Sequence, residues 1–377
     1  MSGTVAGSSH RAWVEVDHEA LRHNLEVLRG LAGSGRQVIA VVKANAYGHG
    51  AVEVSRTLLA AGVERLAVAT LDEGLQLRAA GIEAPILVLW ALGEPEAPQA
   101  AAAELEAMVQ DARSVELLEQ AAADAGQRLS VHLKVDTGLG RQGASPEDAV
   151  TLAASIARSR HLALAGTFSH LAVPGEDDAY TDVQLLRLAQ TLDAMRSAGV
   201  DPGLVHVSAT ASVLAGAAVF ADAVRPGLGL YGLQPGWVVD RAPLEPVLSL
   251  KARAIRIFDL PAGAPIGYGL LYRARQATRI ATLGIGYGDG WPRLHANNGR
   301  VLVHGQVAPM VGAISMDGLT VDLGQIDDVT YADEFVLIGE QMGSRITADE
   351  VAQERRTINY EVTTALRGRL PRLHRGA

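Results

Sequence analysis

From residue 37 onward the chain alternates apolar runs of strand length with longer segments of helical period, and the alternation repeats eight times. The runs are "QVIAVVKA" (37–44), "RLAVAT" (65–70), "PILVLWAL" (85–92), "EAMVQD" (106–111), "LSVHLKVDTG" (129–138), "LALAGTFSH" (162–170), "LVHVSAT" (204–210) and "AVRPGLGLYG" (223–232). Between them lie stretches such as "AVEVSRTLLAAG", "SVELLEQAAADAG" and "AYTDVQLLRLAQTLDAMRSAG", closed by the glycine expected after a helix C-terminus. Strands separated by helices form a parallel sheet, and eight such repeats in roughly 200 residues predict a (β/α)8 TIM barrel. After about residue 245 the pattern changes to short β-type runs broken by Gly and Pro, including "VLSLKARAIRIFDLPAG", "TRIATLGIGYGDG" and "GRVLVHGQVAPMVGAISMDGLTVDLG". The expectation is an α/β chain with a barrel domain over 11–245 and a mostly β domain over 246–377, whose last stretch, "ITADEVAQERRTINYEVTTALRGRLPRL", reads as helical.

The 33 basic residues include only three lysines, Lys43, Lys134 and Lys251. Where a cation alone suffices, this sequence uses arginine. An arginine stays protonated, whereas a lysine amine can be deprotonated by its surroundings and attack a carbonyl. Lys43 follows five apolar residues at the end of the first strand, which makes it a candidate for carbonyl chemistry; a lysine snorkelling from a strand end is the competing explanation.

The bulk properties narrow the field. A net charge of −9 argues against nucleic acid or an anionic membrane as partner. The absence of cysteine excludes thiol chemistry and suits a cytoplasmic protein. The start, "MSGTVAGSSHRAWVEVD", has no basic segment leading into an apolar one. The stretch nearest a membrane span, "LVHVSATASVLAGAAVFA" (204–221), is interrupted by His206, Ser208, Thr210 and Ser212 and reads as a barrel strand plus a short helix.

In a TIM barrel, chemistry sits at the C-terminal ends of the strands. Lys43 ends the first strand, Lys134, Asp136 and Arg141 lie in and after the fifth, His170 ends the sixth, Ser208 and Thr210 end the seventh, and Arg225 lies on the eighth. Each has a structural explanation alone, as helix cap or core histidine, but together they converge on one pocket. The loops after the last two strands, the usual phosphate site of the fold, carry Thr210, Gly227 and Gly229. A reactive lysine, a phosphate site and a nearby arginine suggest pyridoxal 5'-phosphate. No metal site is expected.

The chain resembles the alanine racemase family from "VEVDHEALRHNLEVLR" through "AVVKANAYGHG", "VHLKVDTGLGRQG", "RPGLGLYG", "PIGYG", "GYGDG", "SMDG" and "INYEV". The resemblance implies that Lys43 holds the cofactor through its amine. Tyr47, Thr210, Gly227, Leu228 (by its backbone) and Tyr360 would hold the phosphate, and Arg225 would face the pyridine nitrogen. Arg141 would reach the cofactor phenolate and the substrate carboxylate, with Lys134 a possible carbamylation site that orients it. Tyr268 would be the second base opposite Lys43, supported by His170. Tyr268 and Met316 would come from the partner subunit of a homodimer with shared sites, and Tyr287 and Asp317 would also contact the amino-acid substrate. The chain departs from the family pattern at Ala209, where asparagine is usual, at Thr210, which replaces a serine, and at Ala313, where an arginine normally guards the substrate entrance. The last departure leaves serine or a larger amino acid open as substrate. A decarboxylase shares the architecture but is expected to place an acid where Arg225 stands. A nicotinamide oxidoreductase would use "GLGRQG" (138–143), yet lacks the acidic residue at the end of the next strand. A non-catalytic carrier of the cofactor would not need the β domain.

Overall fold

The computed structural model describes residues 10–217, 221–238, 242–324 and 326–377. It contains two compact units: Ala20–Glu245, and Pro246–Ala377 together with the described residues up to Glu19. After β1 (Ala12–Asp17) come β2 (Gln37–Val41), β3 (Arg65–Val68), β4 (Ile86–Val88), β5 (Glu106–Val109), β6 (Leu129–Lys134), β7 (Leu162–Phe168), β8 (Leu204–Ala209) and β9 (Ala223–Arg225). Strands β2 to β9 form a closed parallel barrel, sealed where Gln37 and Val38 pair with Ala223 and Val224. All eight expected runs are barrel strands. Their side chains are almost wholly buried, as parallel strands covered by helices require. The stretch 204–221 forms β8 and the helix Thr210–Leu214, with residues 218–220 outside the described set, and no helix of the described residues is long and apolar enough to cross a membrane.

The second unit is built on one sheet of β10 (Leu248–Leu260), β11 (Pro265–Ile266) and β12 (Tyr272–Arg273) excepted as a separate hairpin, then β13 (Thr278–Leu283), β14 (Arg300–Val303), β15 (Gln306–Val311), β16 (Leu319–Asp322), β17 (Glu334–Gln341), β18 (Ser344–Ile346) and β19 (Arg372–Arg375). The long strand β10 pairs with β1, β13 and β17, so the sheet returns on itself. The expected barrel domain of 11–245 takes in residues 11–19, ahead of the eight counted strands. Instead β1 pairs antiparallel with β10 and parallel with β19. The ion pairs follow the same pattern: Glu15 meets Lys251 at 3.1 Å and Arg375 at 2.6 Å, and Lys251 also meets Glu334 at 2.9 Å. One of the three lysines is therefore a structural cross-strand cation. The C-terminal stretch is helical only over Ala348–Arg355 and Asn359–Thr364; Arg356 breaks it at φ 55°, and its end continues into β19.

The segment after β2 is unusual. Ala44, Asn45, Ala46 and Tyr47 have φ of 52°, 54°, 53° and 53°, a left-handed turn made of residues that carry a Cβ. Such a conformation costs about 1–2 kcal/mol per residue. Surrounding contacts hold it: Glu73 accepts from Ala44 N at 2.6 Å and Ala69 N at 2.7 Å, and Asn45 Oδ1 accepts from Ala51 N at 2.8 Å. The turn brings Lys43 and Tyr47 to the same end of the barrel. Glycine at an exposed position of this turn would relieve the strain. Ala44→Gly is expected to be neutral or to stabilise the protein by about 1 kcal/mol in urea denaturation, whereas the same change in a right-handed helix loses about 1 kcal/mol. A loss of that size would mean that the turn is not left-handed.

Candidate active site

In the barrel unit, four cations gather at the C-terminal ends of β2, β6 and β9. The amine of Lys43 is pulled below the ordinary lysine value by burial first, then by Arg141 and Arg225, with Glu73 opposing. Burial, Arg141 and Arg225 bring Lys134 down to about 8. His170 falls to about 3 through burial and then the fields of Arg225, Arg141, Lys134 and Lys43. These residues lie far apart in sequence, and the topology brings them together.

Arg225, buried on β9, is held by backbone oxygens and two imidazoles. NH1 donates to His206 O and lies against His206 Nδ1, both at 2.7 Å; NH2 donates to Ser169 O at 2.7 Å and Val207 O at 3.2 Å and lies 3.3 Å from His170 Nδ1. Its guanidinium also lies 5.2 Å from the Phe168 ring centroid. No carboxylate is among these partners. Because a guanidinium only donates, the His170 nitrogen facing it is an acceptor, and in the neutral ring the proton sits on Nε2.

The residues expected at the phosphate converge as well. Thr210 Oγ1 accepts from Gly227 N and Gly229 N, both at 3.1 Å. A Cβ on Gly227 would lie 2.5 Å from the Tyr47 hydroxyl, so glycine is what allows the loop to approach that ring. Tyr47 in turn packs on Tyr231, centroids 4.9 Å apart, and Tyr231 donates to Val41 O at 2.9 Å. Leu228 is buried in the same loop. Ala209, at the asparagine position, gives the helix Thr210–Leu214 no side-chain cap. Amides and hydroxyls are the donor types a phosphate oxygen takes, with the Gly227 and Gly229 amides now turned onto Thr210 Oγ1, and the surrounding cations supply charge for an anion. The residues present therefore fit pyridoxal phosphate.

Two residues near this centre were not read as functional in the sequence. Trp90 lies after β4 with the Arg141 guanidinium 5.6 Å from its ring centroid, a cation–π distance. His206 was read only as an interruption in an apolar run; its place on β8 beside Arg225 needs the barrel's register to be seen.

In the second unit, Tyr268 stands on a turn between Gly267 (φ 70°) and Gly269 (φ 71°) and is 75% exposed. Ala313 is buried; a Cβ on Gly267 would lie 3.4 Å from its backbone nitrogen. Tyr287, Met316 and Asp317 come together because two loops pair through Tyr287 N to Ser315 O at 3.1 Å and Gly288 N to Met316 O at 2.8 Å. Buried Asp289 fixes the first loop, accepting from Arg11 at 2.6 Å and Gly286 N at 3.0 Å, and Asp317 pairs with Arg369 at 2.6 Å. Tyr360 lies in the helix Asn359–Thr364.

Comparison with known proteins agrees over the full length. The alanine racemase N-terminal domain matches residues 16–235 and the alanine racemase C-terminal domain matches residues 247–374. The alanine racemase of Desulforamulus reducens is 39% identical over 368 residues, 97% of this chain and 99% of that protein. Among solved structures, the alanine racemase from Bacillus anthracis with bound L-Ala-P superposes with a TM-score of 0.90 at 35% identity, covering 98% of this chain and 96% of that one. The histidine racemase from Leuconostoc mesenteroides subsp. sake gives 0.89 at 28% identity, covering 98% and 100%. Matching family domains over both the barrel and the β domain, with relatives that match along nearly the whole chain, place this chain in the alanine racemase family of pyridoxal-phosphate-dependent isomerases.

Proposed function

We propose that this protein interconverts L- and D-alanine, with Lys43 and Tyr268 as the two proton carriers. The observation that carries the reading is the depressed amine of Lys43 beside the cradle of Tyr47, Thr210 and Gly227. Bound pyridoxal phosphate supplies the electron withdrawal that weakens the Cα–H bond of an attached amino acid. Lys43, neutralised more readily than an ordinary lysine, takes the proton on one face and can return it there. Tyr268 does the same on the other face. A free phenol titrates at about 10, so this base needs a donor, and neutral His170 has an Nε2–H to offer once Arg225 occupies Nδ1. Arg225 meets the ring nitrogen as a donor that does not readily give up its proton, leaving that nitrogen unprotonated and the withdrawal moderate. Arg141 takes the substrate carboxylate and the cofactor phenolate, and Tyr287, Met316 and Asp317 shape the substrate side. Tyr360 and the backbone of Leu228 complete the phosphate contacts. Lys134, with an amine brought to about 8, is reactive enough toward carbon dioxide to become a carbamate, and the resulting anion would orient Arg141.

A second reading, racemisation of a larger amino acid, draws on Ala313 and on the resemblance to a histidine racemase. Incubating the protein with L-alanine, L-serine or L-histidine and separating the products by chiral chromatography decides between them. D-alanine is expected to form fastest, without release of carbon dioxide, and Lys43→Arg should fold yet lose both turnover and the visible absorption of bound cofactor. Faster D-serine or D-histidine formation would favour the second reading, and carbon dioxide would point to decarboxylation.

The proposed site is shared. Tyr268, Leu270 and Leu271 are 75%, 55% and 54% exposed on one short segment, an apolar patch of the kind that marks an interface. In a symmetric homodimer the 246–377 domain of each chain would lend Tyr268 and Met316 to its partner. Lys43→Ala and Tyr268→Phe should then each be inactive. Refolded together with free exchange, they should recover about a quarter of wild-type activity, because half the dimers are mixed and each has one intact site of two. No recovery, with wild type refolding normally, would place both bases in one chain.

A further inference from the structure

The mechanism above leaves two fully buried histidines of the barrel interior unused, His132 on β6 and His206 on β8. Their rings meet, with centroids 5.0 Å apart. His206 Nδ1 lies 2.7 Å from Arg225 NH1 and His206 Nε2 lies 2.9 Å from His132 Nδ1, while His132 Nε2 lies 3.3 Å from Glu106 Oε2, a close electrostatic contact without hydrogen-bond geometry. Glu106 is the first residue of β5, whereas Arg225 is the last of β9, so the series runs from the N-terminal to the C-terminal end of the barrel. At the lower end Glu106 also meets Arg65 at 3.2 Å and lines a surface groove with Glu104, Gln127 and Ser130.

Donor and acceptor roles follow from the two ends. Arg225 can only donate, so His206 Nδ1 is bare and its proton sits on Nε2. That proton is donated to His132 Nδ1, which puts the His132 proton on Nε2, facing the carboxylate. Burial keeps both rings neutral, as their lowered pKa values agree. Every polar contact in the series then runs away from the guanidinium and toward the anion.

The backbone makes room for this arrangement. A Cβ on Gly166 of β7 would lie 2.5 Å from His132 Nδ1 and 2.6 Å from Leu204 O, so only glycine lets the His132 ring pass that strand. The β6–β7 register shifts at His132, and the β8–β9 register shifts just after His206. Phe168 stacks on His206 at 4.8 Å with an interplanar angle of 6°, fixing the ring plane.

We propose that Glu106, His132 and His206 are positioning residues: a carboxylate at the N-terminal end of the barrel polarises two imidazoles, which makes His206 Nδ1 a strong acceptor and holds Arg225 in place toward the cofactor ring. The N-terminal face of such barrels ordinarily serves stability; here it contributes to the reaction. The proposal rests on the reading that Arg225 faces the ring nitrogen. An unpolarised His206 grips the guanidinium less firmly, so the ring nitrogen is held less strictly and more substrate is diverted to pyruvate, its amino group staying on the cofactor.

The test has two readouts. In cofactor-free protein labelled with 15N-histidine, His132 and His206 are expected as neutral rings protonated on Nε2, and Glu106→Gln should shift the His206 Nδ1 resonance although it lies two side chains away. A proton on Nδ1 of either ring, or an unmoved His206 resonance, overturns the proposal. In the holoenzyme, Glu106→Gln and His132→Gln should each raise pyruvate formed per D-alanine by about tenfold, the usual scale for a lost outer-shell partner. Arg65→Gln breaks the same ion pair and should leave that ratio unchanged, so a rise in all three variants would mean a merely structural role and overturns the proposal. Arg225→Glu is the reference: if it does not raise pyruvate, the reading of Arg225 fails and takes the series with it. If it does while Glu106→Gln and His132→Gln do not, the positioning role alone is wrong.

Discussion

Repulsion among like charges at the C-terminal end of the barrel is the constraint on which the site depends. Lys43, Lys134 and His170 are each depressed first by burial and then by the same guanidinium groups, Arg141 and Arg225. Two unit charges about 5 Å apart repel by about 3 kcal/mol at an effective dielectric constant of 20, so the folded barrel holds a cluster that opposes itself. The nearest acids offset it in part and are themselves occupied: Glu73 holds Ala44 N and Ala69 N, and Asp136 accepts from Gly138 N and Gly140 N. The remaining compensation must come from an anion, and a phosphorylated cofactor brings one. Burial and the same repulsion that would make the site receptive to phosphate also lower the Lys43 amine, as its proposed role as nucleophile and base requires.

Neutral groups then keep the cations in place. Backbone carbonyls of Ser169, His206 and Val207 anchor Arg225, and the Trp90 ring lies against Arg141. In the proposed arrangement, a carboxylate placed directly against Arg225 would cancel the charge that the ring nitrogen is to meet. An acid at Glu106, two imidazoles away, would keep the guanidinium oriented with its charge unneutralised. On this view Gly166 and the two register shifts are the backbone's accommodation to that requirement.

Much of this was legible in the residues. The eight strands were visible because parallel strands covered on both faces read as continuous apolar runs, and Lys43 stood out because a chain that otherwise uses arginine places a lysine at a strand end. Other features had no local signal. The turn Ala44–Tyr47 contains no glycine, so nothing in "KANAY" announces four positive φ angles, which contacts to Glu73 and Ala51 and the turn's own backbone hydrogen bonds sustain. β1 fell inside the expected barrel boundary because nothing local shows which sheet it joins; its partners, β10 and β19, lie more than 200 residues later in the sequence. Lys251 resembles Lys43 by type, and only its pairing with Glu15 and Glu334 marks it as structural. His132 drew no reading and His206 read only as an interruption in an apolar run, since their contacts join strands that are distant in the sequence.

The central claim, that the folded chain depresses its two barrel lysines before any cofactor binds, can be measured directly because there are only three lysines. Cofactor-free protein labelled with 13C at lysine Cε gives three resonances to follow against pH. Those of Lys43 and Lys134, assigned by substitution with arginine, are predicted to titrate below the ordinary lysine value, Lys134 near 8. Titration of both at the value of a lysine free in water would show that neither burial nor the neighbouring cations act on these amines and would contradict the account.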